Sequence, residues 1–273
     1  MKVKRRWSLS DELPLIDSKT KDPSPKTPAP INLIELALSR TPARVLVGRA
    51  GPSYRTATAL KLREDHAAAR DAVQAEVDLQ QDFGEARIKR FGLFELQTLA
   101  ASKAEHLRRP DLGRRLSPEA KKKLQRACTA DFQVVIGDGL SATAVAAQAP
   151  SLLDQLFNLS RERDWSFGRP FFMRYCRVGA MNEIGDLIVP TVLVLLIGER
   201  PGLATAESLS AYMAYEPQLG DSDANRNLIS NIHARGVHCD EAARRIFALA
   251  EAFRSIKRSG VGVTEVFGGN QLK

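Results

Sequence analysis

The six residues Gly137-Asp138-Gly139-Leu140-Ser141-Ala142 carry the spacing G-x-G-x-x-A, by which a strand-to-helix turn can bring its backbone against a phosphate. Glycines leave room for the approach, and the helix that follows offers free N–H groups at its start. Two features oppose a nicotinamide cofactor here. Asp138 sets an anion where a pyrophosphate would lie. The ribose-binding acid expected roughly 20 residues later would be Glu162 or Asp164, in a charged stretch without strand character. The competing reading is a tight structural turn in an α/β domain, and a nicotinamide-binding oxidoreductase stands as the alternative function.

Gly48-Arg49-Ala50-Gly51-Pro52 and Gly198-Glu199-Arg200-Pro201-Gly202 are glycine-bounded turns that carry charge. The second follows the most apolar run of the chain, so its charged side chains should emerge at the carboxyl edge of a sheet, where α/β folds hold ligands. His233 lies in Asn231-Ile232-His233-Ala234-Arg235-Gly236, one side chain short of D-x-H-x-x-G, a pattern that presents histidine to cobalt in some cobalamin proteins. With asparagine at 231, the orienting carboxylate of such a motif is missing, and a loop-anchoring histidine is the expected role. His66, His106 and His238 show no partner pattern and read as surface or helix residues. Cys128, Cys176 and Cys239 lie far apart without metal-ligand spacing and read as plain thiols of a reducing compartment. No Ser-His-Asp or Cys-His set can be assembled, so no catalytic residue and no metal ligand is expected.

The elements that must position these residues divide the chain in three. Residues 1–30 hold Pro14, Pro23, Pro25, Pro28 and Pro30 among polar residues and predict a flexible, disordered arm. Residues 31–128 predict a helical N-terminal domain, with a helix over 53–77 and another starting at Ser117-Pro118-Glu119, a capping hydroxyl followed by proline and an acid. Residues 129–273 predict an α/β domain with an open, Rossmann-like, mostly parallel sheet. Its strands are expected at 132–136, 171–178, 191–197 and 210–215, and its helices at 142–159, 182–187 and 240–258. Gly260 would supply the last helix's stop.

Composition limits the partners. Apolar residues at 44% and charged residues at 26% suit a globular protein able to bury a core. The longest apolar run, 187–197, falls short of the roughly 20 residues of a bilayer span, so no membrane partner is expected. Lys2, Lys4, Arg5 and Arg6 are followed by Asp11, Glu12 and Pro14 rather than an apolar core, so a secretory signal is not expected and the cytoplasm is. The net charge of +8 is partly in the arm, and the basic runs lack interleaved aromatics. No nucleic acid is expected as a partner.

Several stretches, in order, carry a family resemblance. They are Gly48-Arg49-Ala50-Gly51-Pro52, Arg109-Pro110-Asp111-Leu112-Gly113-Arg114-Arg115-Leu116 and Asp138-Gly139-Leu140-Ser141. Then come Arg174-Tyr175-Cys176-Arg177-Val178, Gly198-Glu199-Arg200-Pro201-Gly202-Leu203, Glu207-Ser208-Leu209-Ser210 and Ile229-Ser230-Asn231-Ile232-His233. From about Arg44 to the last helix the chain resembles the small subunit of ethanolamine ammonia-lyase.

The resemblance implies conversion of ethanolamine to acetaldehyde and ammonia by radical chemistry with adenosylcobalamin. It implies a large catalytic subunit as partner, which binds ethanolamine in its barrel, while the small subunit covers part of the cobalamin. Carried over by motif position, the cofactor contacts fall on Val178, Glu199 and Leu228. Leu228 stands where the family pattern has cysteine, Ser53 where it has arginine, and Cys176 where it has glycine. Some family members enter bacterial microcompartments through an N-terminal extension, and the proline-broken arm leaves that open.

Overall fold

The computed structural model describes residues 32–40, 46–125, 129–202 and 205–265. The arm expected over 1–30, Cys128 and Leu203 lie outside the described residues. Leu33–Arg40 forms helix α1, and Arg49–Ala50 (β1) pairs antiparallel with Ser53–Tyr54 (β2) across Gly51, whose φ of +63° suits glycine. Thr56–Gln74 (α2) follows where a helix was expected. In these four elements Ala72 alone is buried.

Leu79–Phe83 (α3) starts on Asp78, whose carboxylate accepts the N–H groups of Gln80 and Gln81. Glu85–Phe91 (α4) closes on Gly92 in the left-handed conformation. Phe94–Gln97 (β3), Lys103–Arg108 (α5) and Pro118–Leu124 (α6) come next. The start of α6 is as expected, with Ser117 Oγ accepting the Ala120 N–H. The remaining elements are Phe132–Gly137 (β4), Ala142–Glu162 (α7), Phe171–Arg174 (β5), Ala180–Ile188 (α8), Val192–Gly198 (β6), Leu209–Tyr215 (β7), Asn227–Ile232 (β8) and Cys239–Ile256 (α9).

The architecture is α/β, around one six-stranded sheet of order β3-β5-β4-β6-β7-β8. Every residue of β4 and β6 is buried, which accounts for the unbroken apolar sequence of β6 and the nearly apolar one of β4, where Gln133 is the polar exception. One face packs Phe132, Val134, Val194 and Met213 against α7 and α9, with the Phe132 and Phe247 rings stacked 4.5 Å apart. The other packs Val135, Met173, Leu193 and Leu195 against α6 and α8. Helix α7 carries the chain from β4 to β5 on one side, and α8 carries it from β5 to β6 on the other. The carboxyl end of β4 is therefore the switch point of the topology.

The structure bears out some of these expectations and corrects others. The sheet is mostly parallel, as expected, but mixed: β3, β5, β4 and β6 are parallel, β7 runs antiparallel to β6, and β8, antiparallel to β7, returns to the common direction. The β6–β7 connection, 199–208, is too short for the crossover a parallel pair requires. The stretch read as helical contributes β3, whose Glu, Leu and Gln favour helix until pairing with β5 and the Arg174–Glu95 ion pair decide otherwise. Strand β8 was not foreseen. Strand β5 ends at Arg174 rather than reaching Val178, because Tyr175 turns into positive φ (58°). Helix α9 stops at Lys257 in the left-handed conformation, ahead of Gly260.

Candidate functional site

At the carboxyl end of β4 the glycine turn is spent on the protein itself. Asp138, 1% exposed, accepts the Tyr175 N–H at 2.9 Å and the Cys176 N–H at 2.8 Å. It thereby holds the exit of β5. Gly139 lies at φ +56°, and a Cβ there would sit 2.2 Å from the Gly198 carbonyl oxygen. Leu140 N–H donates to that same oxygen. The start of α7 is closed as well, since Ser141 Oγ accepts the Ala144 N–H and donates to the Ala206 carbonyl at 2.6 Å. Neither the backbone approach nor the free helix N-terminus that a pyrophosphate needs is present. The G-x-G-x-x-A spacing here serves to clamp the ends of β4 and β6 together.

That clamp fixes the Gly198-Glu199-Arg200 turn. Glu199 N–H donates to the Ser208 carbonyl at 3.1 Å, and its Oε1 accepts the Tyr212 hydroxyl at 3.4 Å. Burial, reinforced by the negative Glu199, pushes the Tyr212 phenol up to about 12, so it remains a donor. Leu195, Tyr212 and Leu228 stand abreast across β6, β7 and β8 and project to the α8 face. Leu228 is 45% exposed there. Val178 sits in the turn just before α8, half-buried against the same core, with its carbonyl accepting the Met181 N–H at 3.1 Å.

Val178, Glu199 and Leu228 thus border one face of the sheet. Tyr212 links the last two, and sequence reasoning missed it. The signal was available in the alternation of β7, where a polar-tipped aromatic takes an outer position among small and apolar residues. The Gly48–Pro52 turn does not join this face; it is the exposed tip of the β1–β2 hairpin.

His233 is 3% exposed and engaged through both ring nitrogens. Nδ1 accepts the Arg235 N–H at 3.2 Å, so Nε2 carries the proton and donates to Asn231 Oδ1 at 2.7 Å. It anchors its loop with no lone pair left for a metal. Cys176 is a fully buried free thiol whose pKa burial pushes well up, which keeps it protonated and unreactive. Among the described residues no cluster of His, Cys, Asp or Glu could hold a metal ion, and no helix is long and apolar enough to cross a membrane. A cavity of 860 Å³ lies at the opposite, amino-terminal edge, between Phe94, Phe167, Phe171 and Arg169, and contains none of the three candidate residues.

His106 departs from its expected surface character. It is helical but 0% exposed, with Nε2 on the Gly139 carbonyl at 3.0 Å. Burial, then the nearby Arg177 charge, lowers its pKa from 6.5 to about 4. The unfolded chain therefore takes up this proton first, so stability is intact above pH 6.5 and erodes as the pH falls toward 4. The expected loss is about 3 kcal/mol across that window. Asp138, raised by burial, acts in the opposite sense, so the effect is read as a difference. Urea unfolding of wild type and His106→Gln at pH 7 and pH 4.5 should show the smaller pH dependence in the variant. Equal dependence would mean that His106 is already charged in the folded protein.

The family profile for the ethanolamine ammonia-lyase light chain matches residues 33–264. The ethanolamine ammonia-lyase small subunit of Clostridium acetobutylicum is 41% identical over 223 residues, covering 81% of this chain and 90% of that protein. Those of Clostridium perfringens and Clostridioides difficile are each 41% identical over 225 residues, covering 82% of this chain and 74% and 75% of theirs. With the family model matched over most of the chain and relatives at 41% identity, the chain belongs to the ethanolamine ammonia-lyase small-subunit family.

Proposed function

We propose that this chain works as the small subunit of an adenosylcobalamin-dependent ethanolamine ammonia-lyase, paired with a large subunit that binds ethanolamine. Together they convert it to acetaldehyde and ammonia in the cytoplasm. The observation that carries the reading is the Glu199–Tyr212–Leu228 arrangement, an acceptor backed by a hydroxyl beside an open apolar side chain.

The residues fit a corrin ring. Its rim presents carboxamide N–H donors, which a carboxylate such as Glu199 can accept, and its edge is apolar, which suits Val178 and Leu228. The Tyr212 hydroxyl holds one Glu199 oxygen in place, which reduces the ordering cost of a cofactor contact. Leucine at 228 offers packing alone where the family pattern has a thiol. When bound, adenosylcobalamin supplies the radical chemistry by homolysis of its cobalt–carbon bond. This chain's part is to bind, orient and exclude water. Among its described residues no acid, base and nucleophile set comes together.

Two outcomes test the reading. Co-expressed with a large subunit, the chain should co-purify as a complex that takes up adenosylcobalamin by visible absorbance and releases acetaldehyde from ethanolamine. The chain alone should release none; turnover by it would refute the division of labour. Within the complex, Glu199→Ala should weaken cofactor binding about tenfold or more, the worth of one charge-assisted hydrogen bond. Tyr212→Phe should give a smaller loss in the same titration. Unchanged affinity in Glu199→Ala would remove Glu199 from the cofactor contact.

A further inference from the structure

Beside Val178 the structure collects three cations, Arg114, Arg177 and Lys103, with a single buried anion, Asp138, acting on the last two. The Arg114 side chain crosses the backbone of Gly179, where a Cβ would meet its Cβ, Cγ and Cδ at 3.0–3.2 Å. The next cation, Arg177, donates from Nη2 to the His106 carbonyl at 3.1 Å and leaves its Nε buried without an acceptor. Behind it, Lys103 is 7% exposed, and its ammonium likewise has no hydrogen-bond partner. Neither arginine has a carboxylate within ion-pair distance among the described residues, whereas Arg109, Arg115 and Arg174 are each paired.

The nearby acids are already committed. Asp138 spends both oxygens on the Tyr175 and Cys176 N–H groups. Glu76 and Glu95 are held by Arg174. Like charges therefore crowd one another. Burial lowers Arg177, Asp138 opposes the lowering, and Arg114 adds to it. Burial lowers Lys103 as well, against the pull of Asp138 and Glu76, and Arg177 adds to the lowering. Folding does not assemble such a cluster for its own stability, since it opposes the compact state.

We infer that Arg114 and Arg177, with Lys103 behind them, form an anion site that takes the phosphodiester of the cofactor's nucleotide tail. The inference rests on the proposed cobalamin contact at Val178. Two guanidinium forks flanking an apolar wall match a phosphodiester that hangs from the edge of a large apolar ring. The phosphodiester is also the cofactor's one formally anionic substituent, so it is the group this cluster can distinguish.

The test compares adenosylcobalamin with adenosylcobinamide, which keeps the corrin and the adenosyl group but lacks the phosphodiester and its nucleotide. Dissociation constants are read by visible absorbance in the complex of this chain with its large subunit. Arg114 is exposed, so Arg114→Ala should leave the fold intact. It should weaken adenosylcobalamin about tenfold and leave adenosylcobinamide unchanged, with Arg114→Lys in between. Equal weakening of both ligands, or of neither, overturns the anion site. Weakened subunit association with unchanged cofactor affinity also overturns it, by assigning the arginines to an acidic patch of the partner. Glu199→Ala should weaken both ligands alike. If it does so while Arg114→Ala discriminates nothing, the cobalamin face stands and the phosphodiester site alone falls. A wild-type complex that takes up neither ligand removes both.

Discussion

Gly198→Ala should yield a protein that melts at least about 6 °C lower or fails to accumulate in soluble form. The added Cβ would lie 2.0 Å from the Ser141 carbonyl oxygen and 2.7 Å from that of Asp138. Both are backbone atoms. Ser141 begins α7, and Asp138 is held by two hydrogen bonds to the end of β5. No side chain can rotate away, so the ends of β4 and β6 would have to part in a close-packed interior. A cost above about 3 kcal/mol follows, and in a domain of this size each kcal/mol lowers the melting temperature by about 2–4 °C. Gly51→Ala is the comparison. That glycine also has positive φ, but no atom lies within 4 Å of its would-be Cβ. It should cost about 1–2 kcal/mol, from backbone strain alone. A Gly198→Ala protein melting within 2 °C of wild type would show that the clamp between the two strand ends is loose.

Glu183→Ala is the second large effect. Glu183 lies on α8 but serves the loop before α6: its side chain, 7% exposed, accepts the Leu116 N–H at 2.7 Å and pairs with Arg115 and Lys121. Burial pushes its pKa upward, yet the Leu116 N–H and the two cations prevail and hold it below the ordinary 4.5. The alanine variant strands a buried N–H, which costs about 1–3 kcal/mol, and releases two ion-pair partners. Glu183→Gln keeps an acceptor for Leu116 and should lose less. The charge adds a pH signature. With the folded pKa depressed, the stabilisation is complete above the unfolded value near 4.5 and disappears as the pH falls through the folded value. Chemical unfolding at pH 7 and pH 4 should therefore show the gap between wild type and Glu183→Gln narrowing in acid. A gap that widens would reverse the sign of the shift and the assignment with it.

Both variants bear on function through position. Gly198 precedes Glu199 directly, and Glu183 fixes the helix that the Val178 turn leads into. Loss of cofactor affinity in either would therefore be indirect, and thermal melting separates it from the direct loss expected of Glu199→Ala.

Local pattern alone determined much of this protein. An unbroken apolar run marked β6 as a central strand, because burial on both faces removes any need for alternation, and a short β-rich run marked β4. Ser117-Pro118 marked the start of α6, because a cap acts within one turn. Motif order was sufficient to name the family and to single out Val178, Glu199 and Leu228. Tertiary structure decided what depends on partners distant in sequence. Phe94-Glu95-Leu96-Gln97 has no intrinsic claim to be a strand, and pairing with β5 made it one. The role of the Gly137-Asp138-Gly139 turn was open in sequence, since glycine permits close approach without saying of what. In the fold it is the backbone of Gly198 that approaches. Burial of His106 and Lys103, and the link from Tyr212 to Glu199, likewise arise only when separate segments meet. Helix and strand tendencies are local energies, legible residue by residue, whereas desolvation and long-range contact are properties of the assembled sheet and helices.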